Sequence, residues 1–413
     1  MHRPRSAFCY PGVGRARTLK WNALEPSALR GLLAQAVVAA VGASLLVWAV
    51  RADAAWFDRH FAPSFHDARD VQLRTLLIVR LAAALAGVVA LTAGRRLAGS
   101  VFARITFVRG LALAAPTMAA ALLALGAGEL ILRRSPTLEI QKIDPRREPL
   151  RRPDPQLGWD YAPGRIGRGA PAGSMIAYAL DAAGFRVARA DAPVDPARPT
   201  ILFAGESFIL GQGLQWPETI PAQVEAATGL QSANLGVEGY ATDQSYLRLR
   251  RAWPAFQRPQ AVVFLFMPQI FSRNLDVDRP HLTPGLVLAP AQRRSRLAQV
   301  LRRAVPYRTE GEMDRGVAMT RAVLASAAAM ARDRGAAFLV VVPQPRPESP
   351  AESALRRRVL DAASLPYVVV PMDPSWRLPR NRHPNARGAQ AIAQAILRGL
   401  AAQDPRFKSL SAS

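Results

Sequence analysis

The chain of 413 residues contains one cysteine and five histidines, and this scarcity limits its chemistry. A single cysteine, Cys9 in the basic amino-terminal leader, can form neither an internal disulfide nor a thiolate metal cluster, and we expect an ordinary exposed thiol. No histidine is spaced from another as zinc ligands are. Gly211 and Gly213 lack the third glycine of a dinucleotide fingerprint. We therefore expect neither a metal nor a cofactor.

Lysine is also scarce, and 30 acidic residues stand against 54 basic ones, so arginine gives the chain a formal charge of +24. Such a charge would ordinarily indicate a nucleic-acid partner. The chain is, however, rich in alanine and proline as well as arginine, which indicates a general composition bias, and many arginines flank apolar runs. No basic run carries the interleaved aromatic residues of a single-strand binder. We therefore predict no nucleic-acid partner.

Three long apolar segments lie in the first third of the chain, at residues 31–50, 76–94 and 109–132. The first has no ionisable side chain and about the length needed to cross a bilayer, which is rare in a soluble core. The second is interrupted by Arg80, whose side chain we expect to extend toward an interface. We predict three transmembrane helices in a membrane domain of residues 1–134. The alternative is that a segment forms a buried helix of a soluble core.

The charges of the loops predict the orientation of these helices. The basic leader and the basic stretch at residues 95–104 should lie in the cytoplasm, whereas residues 51–74, where four aspartates accompany the arginines, should lie outside. Three crossings then place everything after residue 132 outside the cytoplasm. If the middle segment does not span, that part lies in the cytoplasm instead. Residues 135–165, rich in proline and arginine, are predicted to be a juxtamembrane linker.

The remaining sequence, residues 166–413, alternates short apolar runs with amphipathic stretches. The predicted strands are residues 200–204, 232–235, 261–266, 337–342 and 367–370. The predicted helices lie near residues 217–227, 243–253, 313–334, 351–363 and 386–401. This alternation is typical of a parallel sheet that is covered by helices on both faces. We predict an α/β fold with three α/β/α layers around a parallel five-stranded sheet.

The first of these strands breaks at Gly205 and is followed at once by Ser207. The carboxyl ends of parallel strands are where open α/β folds hold their ligands. Ile209 stands where the nucleophile elbow of α/β-hydrolases has its second glycine, which argues against that fold. A serine after a strand is most often a turn residue, so a catalytic role needs support from other residues.

Two later segments supply that support. Gly239 follows the next predicted strand, and its N–H is free to face a developing oxyanion. His383 stands just before the last predicted helix, where Asn385 is a suitable N-cap. A histidine at the same edge of the sheet would activate Ser207 as a nucleophile.

Together these motifs resemble those of the SGNH (GDSL-type) hydrolases. The matching blocks are Gly205-Glu206-Ser207-Phe208, Asn234-x-Gly236-x-x-Gly239-Tyr240 and His383-Pro384-Asn385. Upstream, Leu157-Gly158-Trp159 and Gly184-Phe185-Arg186 are similar to segments of membrane-anchored bacterial members. The resemblance implies a flavodoxin-like three-layer fold in which Ser207 is the nucleophile, His383 the base and Gly239 an oxyanion donor. It also implies a multi-pass protein of the bacterial inner membrane with its catalytic domain in the periplasm.

The resemblance is incomplete at two positions. Gln269 follows the third strand where the family has an oxyanion asparagine, and Asn274 is a second candidate five residues on. The family's aspartate shortly before the histidine is missing, and Asn381 and its neighbour occupy its place. We therefore predict that Asp373, just after the last strand, orients His383. The alternative is a Ser–His dyad that uses a backbone carbonyl.

The resemblance implies a membrane-anchored serine esterase that acts on an ester, foremost an O-acetyl group, of an extracytoplasmic polysaccharide, with partners among envelope polysaccharide-modification proteins. An O-acetyltransferase or acetyl-relay protein would form the same acyl-enzyme and differ in the acceptor. A third hypothesis is a catalytically silent, membrane-tethered glycan-binding or assembly module. Losing a triad aspartate lowers kcat about ten-thousand-fold and losing an oxyanion donor about a hundred- to a thousand-fold. Activity therefore requires compensation at both positions.

Overall fold

The structure, a computed structural model, describes residues 25–63, 65, 69–134, 149–171, 173–292, 295–304, 307–379 and 381–407. Cys9, most of the basic leader and residues 135–148 of the predicted linker lie outside the described residues. The helices are α1 (Pro26–Arg51), α2 (Ala54–His60), α3 (Arg69–Val89), α4 (Arg95–Arg104), α5 (Phe107–Arg134), α6 (Ser207–Leu210), α7 (Ile220–Thr228), α8 (Thr242–Ala252), α9 (Arg296–Ala304), α10 (Glu310–Arg332), α11 (Pro350–Val359) and α12 (Ala386–Gln403).

The strands are β1 (Ala62–Pro63), β2 (Arg151–Asp154), β3 (Gly158–Tyr161), β4 (Ile166–Gly169), β5 (Ile176–Leu180), β6 (Arg186–Val187), β7 (Pro199–Ala204), β8 (Gln231–Asn234), β9 (Arg258–Leu265), β10 (His281–Leu282), β11 (Leu288–Ala289), β12 (Tyr307–Arg308), β13 (Ala337–Gln344) and β14 (Tyr367–Pro371). A π-helical turn joins α3 to α4. Short 3-10 helices include Pro268–Leu275, which follows β9, and Pro374–Trp376, which follows β14.

The chain divides into two compact units. The first contains the described residues up to Arg51 together with Arg80–Leu123, and the second contains the described residues of Ala52–Val79 and of Ala124–Ser413. Among the described residues, three helical stretches are long and apolar enough to cross a membrane, namely Pro26–Arg51, Arg69–Arg104 and Val108–Arg134. Each of them contains one of the three segments predicted from the sequence.

In the first unit α1 packs closely against α4 and the neighbouring part of α3. A Cβ atom at Gly42 would lie 2.9 Å from the carbonyl oxygen of Gly87, and one at Gly31 would lie 2.9 Å from that of Gly99. The later α1 glycine contacts the earlier partner and the earlier α1 glycine contacts the later partner, so the two helical stretches are antiparallel. Close backbone approach through small residues is typical of helix pairs in membranes.

Arg80, which interrupts the second apolar segment, bonds to the carboxyl end of α1. Its Nε donates to the carbonyl of Ala49 at 2.7 Å, and its Nη2 donates to that of Val50 at 3.2 Å. The last carbonyls of a helix have no partner within the helix, and a cationic side chain both pairs them and complements the helix dipole. The guanidinium therefore has a defined partner at the end of the first candidate span.

The second unit is built on an eight-stranded sheet of described residues in the order β14-β13-β9-β7-β8-β6-β5-β4. The five strands from β14 to β8 are parallel and coincide with the five predicted strands to within a few residues. Strands β6, β5 and β4 extend the sheet in antiparallel fashion. The prediction of a five-stranded sheet is corrected to a mixed sheet of eight among the described residues. β4 is Ile-Gly-Arg-Gly and β6 has only two residues, so neither presents an apolar run, and β5 stands between them without a flanking helix.

Helices cover both faces of the parallel part of the sheet. Leu202 and Val262 belong to the core on the side of α8, α10 and α11. Their neighbours in sequence, Phe203 and Val263, belong to the core on the side of α7 and α12. Successive side chains of a strand point to opposite faces, and both faces are buried here, so β7 and β9 carry continuous apolar runs. This is the predicted three-layer α/β/α arrangement.

The predicted linker of residues 135–165 is corrected at its carboxyl end. β2 and β3 form an antiparallel pair, and the side chains of Leu157, Trp159 and Tyr161 are fully buried in the core of the second unit. The indole Nε1 of Trp159 donates to the carbonyl of Glu238 at 3.1 Å. Three large apolar side chains in one hairpin need a core to cover them, so these residues belong to the α/β domain.

The segment between α1 and α3 also belongs to the second unit. β1 pairs with β12, and the ring of Phe57 stacks on Tyr307 at 4.7 Å between centroids. Phe65 is buried with its ring 6.5 Å from that of Phe271, and its carbonyl accepts a hydrogen bond from Arg346 at 3.2 Å. The loop between the first two candidate spans is therefore packed onto the α/β domain.

Candidate active site

Ser207 is the first residue of α6, in a tight turn at the carboxyl end of β7. The turn packs too closely for side chains at two neighbouring glycines. A Cβ at Gly205 would lie 2.5 Å from Cγ1 of Ile209, and one at Gly236 would lie 2.2 Å from the backbone nitrogen of Leu210. Real Cβ atoms do not come this close to other heavy atoms. The glycines therefore allow the two strand ends to meet at Ser207.

A buried arginine holds the far side of this turn. Nη1 of Arg186 donates to the carbonyls of Leu210 and Gly211, both at 2.7 Å, and Nη2 donates to that of Leu214 at 2.6 Å. The guanidinium lies 4.5 Å from the ring centre of Tyr178. Burial lowers the pKa of Arg186 to about 10, so it stays charged at neutral pH. Its role is to position the turn.

His383 contacts Ser207 from the loop that follows β14, the edge strand of the parallel part of the sheet. Nε2 of the imidazole lies 2.7 Å from Oγ of Ser207, although the residues are 176 positions apart. The ring also contacts Phe208, with 5.5 Å between ring centres. Burial lowers the pKa of His383 below its ordinary value, against Glu206 and Glu238, which raise it. A neutral imidazole near pH 7 is suited to accept the serine proton.

Asn381 holds the other nitrogen of the ring. Its Oδ1 contacts Nδ1 of His383 in a short hydrogen bond and also accepts from the backbone N–H of His383 at 3.2 Å. A backbone N–H can only donate, so the atom facing it must be the amide oxygen and not the nitrogen. Nδ1 therefore carries the proton, and Nε2 keeps its lone pair toward Ser207. This is the tautomer that a general base requires.

Asp373 does not orient His383, and the prediction of that role is corrected. Its carboxylate is exposed and accepts from the backbone N–H and the hydroxyl of Ser375, at 2.8 and 2.6 Å. It is the N-cap of the 3-10 helix Pro374–Trp376. The side chain is thus committed to its own turn, and Asn381 takes the place behind the imidazole.

Glu206 is buried beside the nucleophile. One carboxylate oxygen forms a short hydrogen bond with Oγ of Ser207 and lies 3.3 Å from Nη1 of Arg273, and the other accepts from the N–H of Phe208 at 3.1 Å. Burial raises the pKa of this carboxyl. The charges of Arg273 and His383 and the hydrogen bonds that it accepts lower the pKa by more than burial raises it, so the net shift is downward. Glu206 is therefore a buried carboxylate at neutral pH.

Two backbone N–H groups are available to an oxyanion. Gly239 has φ of +82°, and its carbonyl accepts from Arg279. Neither its N–H nor that of Ser207 forms a hydrogen bond with any residue that the structure describes. Nη1 of Arg273 bonds to both the carbonyl of Tyr240, at 3.2 Å, and Glu206. The loop that carries Gly239 therefore lies beside the turn that carries Ser207.

The two amide side chains considered for the oxyanion differ sharply. Asn274 is fully used: its Nδ2 donates to the hydroxyls of Thr242 and Thr320, and its Oδ1 accepts from the N–H of Thr242. It therefore fixes the start of α8 and is excluded as an oxyanion donor. Both polar atoms of Gln269 are buried and lack a hydrogen-bond partner among the described residues. A buried amide without partners is unusual in a folded protein.

Three residues of the site receive no role from the sequence. Asn381 is noted there only as standing where an aspartate is expected, Glu206 only as part of the first motif, and Arg273 not at all. The spacing of Asn381, two residues before the histidine, was the available signal. The described residues contain no group of three or more histidine, cysteine or acidic side chains that could hold a metal ion.

Comparisons with known proteins give matches in structure alone. No protein-family model and no curated protein matches the chain. An acetyl xylan esterase from the rumen bacterium Butyrivibrio proteoclasticus matches at 10% identity and a TM-score of 0.35, covering 52% of this chain and 66% of that one. A family two carbohydrate esterase from Clostridium thermocellum in complex with cellohexaose matches at 13% identity and 0.34, covering 51% and 66%.

A third solved structure is a member of the lipolytic protein G-D-S-L family from Veillonella parvula. It matches at 12% identity and a TM-score of 0.29, covering 48% of this chain and 96% of that one. This chain therefore spans about two thirds of the length of the two carbohydrate-active esterases.

Proposed function

We propose that the α/β domain is a serine ester hydrolase of the SGNH type. The observation that carries this proposal is the continuous contact from Asn381 through His383 to Ser207, with the imidazole in the tautomer of a base. A serine, a histidine and an orienting group in hydrogen-bond reach are the requirements of nucleophilic acyl transfer. The unpaired N–H groups of Ser207 and Gly239 supply the second requirement, an oxyanion hole.

The reaction follows from these contacts. Oγ of Ser207 attacks the ester carbonyl while its proton moves to Nε2 of His383, and the π electrons of the carbonyl move to the oxygen. The resulting oxyanion is received by the N–H groups of Ser207 and Gly239, with Nε2 of Gln269 as a further donor. When the C–O bond of the alcohol breaks, His383 gives its proton to the leaving oxygen. Water then repeats the sequence on the acyl-enzyme and releases the acid.

The substrate we propose is an O-acetyl ester on an extracytoplasmic polysaccharide. Support comes from the sequence resemblance to anchored bacterial members and from the candidate spans, which would hold the domain at an envelope surface. Transfer of the acetyl group to a sugar hydroxyl uses the same acyl-enzyme, and a silent glycan-binding module uses none. These two alternatives are outcomes of the experiment that follows.

The test uses the full chain in detergent or nanodiscs. We expect wild-type protein to hydrolyse p-nitrophenyl acetate without an added sugar and to react with a fluorophosphonate probe at Ser207, located by peptide mass mapping. Acetyl release only in the presence of a glycan acceptor would favour the transferase. Folded protein that neither hydrolyses the ester nor reacts with the probe would favour the catalytically silent glycan-binding module.

We further propose that this domain lies outside the cytoplasm. The loop between the first two candidate spans packs onto the α/β domain through Phe57 and Phe65, so both lie on one side of a membrane. The chain between them must then cross an even number of times, which supports either two spans, Arg69–Arg104 and Val108–Arg134, or none. This contact argues against the case in which only the middle segment fails to span. The basic stretch at residues 95–104 favours the cytoplasm for the turn between them.

Cysteine labelling tests this topology. In a Cys9→Ser background, we expect Arg59→Cys and Gln390→Cys to react with a membrane-impermeant maleimide in spheroplasts, and Thr106→Cys to react only after permeabilisation. Arg59 and Gln390 are exposed, on α2 and α12, and Thr106 lies between α4 and α5. Labelling of Arg59→Cys and Gln390→Cys from opposite sides would contradict the even number of crossings. Labelling of both only after permeabilisation would reverse the orientation.

A further inference from the structure

The carboxylate of a serine triad has two functions, and only one of them is performed by the residue behind the ring of His383. A triad aspartate fixes the tautomer of the imidazole and also stabilises the positive charge that forms on it. Asn381 fixes the tautomer through its amide oxygen but is neutral. The charge on the imidazolium therefore needs a counter-ion from another direction.

Glu206 lies in that direction. Its carboxylate forms a short hydrogen bond with Oγ of Ser207, and Oγ lies 2.7 Å from Nε2 of His383. The carboxylate is thus at most two hydrogen-bond lengths from the ring, and the exposed fraction of Glu206 is 2%. A charge pair at such a separation interacts far more strongly in a buried site than in water.

We propose that Glu206 is the counter-ion of the His383 imidazolium, so that the function of the missing triad aspartate is divided between Asn381, which orients the ring, and Glu206, which supplies the charge. This inference rests on the proposed esterase function. It assigns a chemical role to the glutamate of the first motif, whose carboxylate contacts the serine hydroxyl and also accepts from the N–H of Phe208.

The movement of the proton is compatible with this division. With neutral His383, the single hydroxyl proton of Ser207 can be donated either to Nε2 or to Glu206, and attack on a carbonyl requires that it face Nε2. During attack the hydroxyl proton moves to Nε2 as the bond from Oγ to carbon forms. Glu206 then remains as an unprotonated carboxylate next to the new positive charge.

Arg273 holds the carboxylate of Glu206 in place and partly offsets its stabilisation of the imidazolium. Its Nη1 bridges Glu206 and the carbonyl of Tyr240, which prevents the carboxylate from turning away. The charged groups that act on His383 are Glu206 and Glu238, which favour the imidazolium, and Arg273, which opposes it. Glu238 is itself paired with Arg151 at 2.7 Å. Glu206 is therefore the carboxylate with the most direct route to the ring.

The test is Glu206→Gln in the full chain, measured with p-nitrophenyl acetate. We expect kcat to fall about 100-fold, less than the ten-thousand-fold loss of a triad aspartate, because Asn381 still fixes the tautomer. We also expect the acid limb of the kcat/KM profile to move to lower pH. A neighbouring carboxylate favours the protonated ring, so its removal lowers the pH at which His383 is protonated.

Restoring a charge behind the ring gives the sharper readout. Asn381→Asp in the Glu206→Gln background should recover at least about tenfold in kcat and return the acid limb toward higher pH, because the aspartate keeps the acceptor oxygen and adds the charge. Glu352→Gln is the matched control, since it removes a buried carboxylate whose partners are Arg346 and Ser349. Its kcat and profile should match wild type.

The outcomes separate this proposal from the proposed function. If Glu206→Gln keeps the wild-type kcat and acid limb while Ser207 still reacts with the fluorophosphonate, the chain is an esterase and Glu206 is not the counter-ion. If kcat falls but Asn381→Asp gives no rescue and the limb does not move, Glu206 merely maintains the turn. If wild-type protein neither hydrolyses the ester nor labels, the esterase assignment itself fails.

Discussion

Replacing Ser207 with alanine is expected to lower kcat for ester hydrolysis about a million-fold, to the rate that the remaining oxyanion donors support. The reason is that no other hydroxyl in the contact chain with His383 can form the acyl-enzyme. Fluorophosphonate labelling should disappear at the same time. The measurement is initial rates on p-nitrophenyl acetate, together with probe incorporation on the purified full chain.

Ser245→Ala is the matched control. Ser245 is also buried near the start of a helix, and its hydroxyl donates to the carbonyl of Ala241, the N-cap of α8, at 3.1 Å. Its removal costs a local hydrogen bond of about 1 kcal/mol and should leave kcat and labelling unchanged. Residual turnover of Ser207→Ala above about one hundredth of the wild-type rate would contradict a serine nucleophile, since direct attack by water lacks the covalent step.

Four of the five parallel strands could be predicted because each contains an apolar run between helical stretches, whereas β8 is Gln-Ser-Ala-Asn and is predicted from its place between two helical stretches. A strand that is buried on both faces cannot alternate, and β7 and β9 show this pattern in sequence. Strands β4 and β6 could not be predicted in the same way, because neither contains an apolar run. β6 contains Arg186, whose buried guanidinium donates hydrogen bonds to backbone carbonyls of a turn that is distant in sequence. Nothing in the local sequence signals that partner.

The meeting of Ser207 and His383 could also be predicted, because both follow strands of one parallel sheet at the same edge. The group behind the imidazole could not. Asp373 is nearer to the strand, but it caps its own turn, and the choice of Asn381 depends on a bridge between Arg377 and Pro384 that folds the loop back on itself. That bridge is a tertiary feature without a local sequence pattern.

The oxyanion candidates show the same limit. Asn274 matches the expected side-chain chemistry better than Gln269, yet it is consumed by Thr242 and Thr320. A residue type indicates what a side chain is able to bind, whereas its availability depends on neighbours that are contributed by other elements. Gln269 keeps its capacity because no described neighbour uses it.

Asn381→Ala is expected to lower kcat about a thousand-fold with a small change in stability. The substitution removes the oxygen that accepts from both Nδ1 and the backbone N–H of His383. The imidazole is then free to rotate and to carry its proton on Nε2, where it cannot accept from Ser207. Rates on p-nitrophenyl acetate and thermal unfolding of the same preparations measure the two effects separately.

Asp373→Ala supplies the decisive comparison, because the sequence favours Asp373 as the orienting residue and the structure favours Asn381. The exposed carboxylate of Asp373 bonds only within its own turn among the described residues, so its loss should change kcat by less than about twofold. A loss for Asp373→Ala as large as that for Asn381→Ala would return the orienting role to the aspartate. It would also require the loop that carries His383 to rearrange when substrate binds, since the present turn directs that carboxylate toward Ser375.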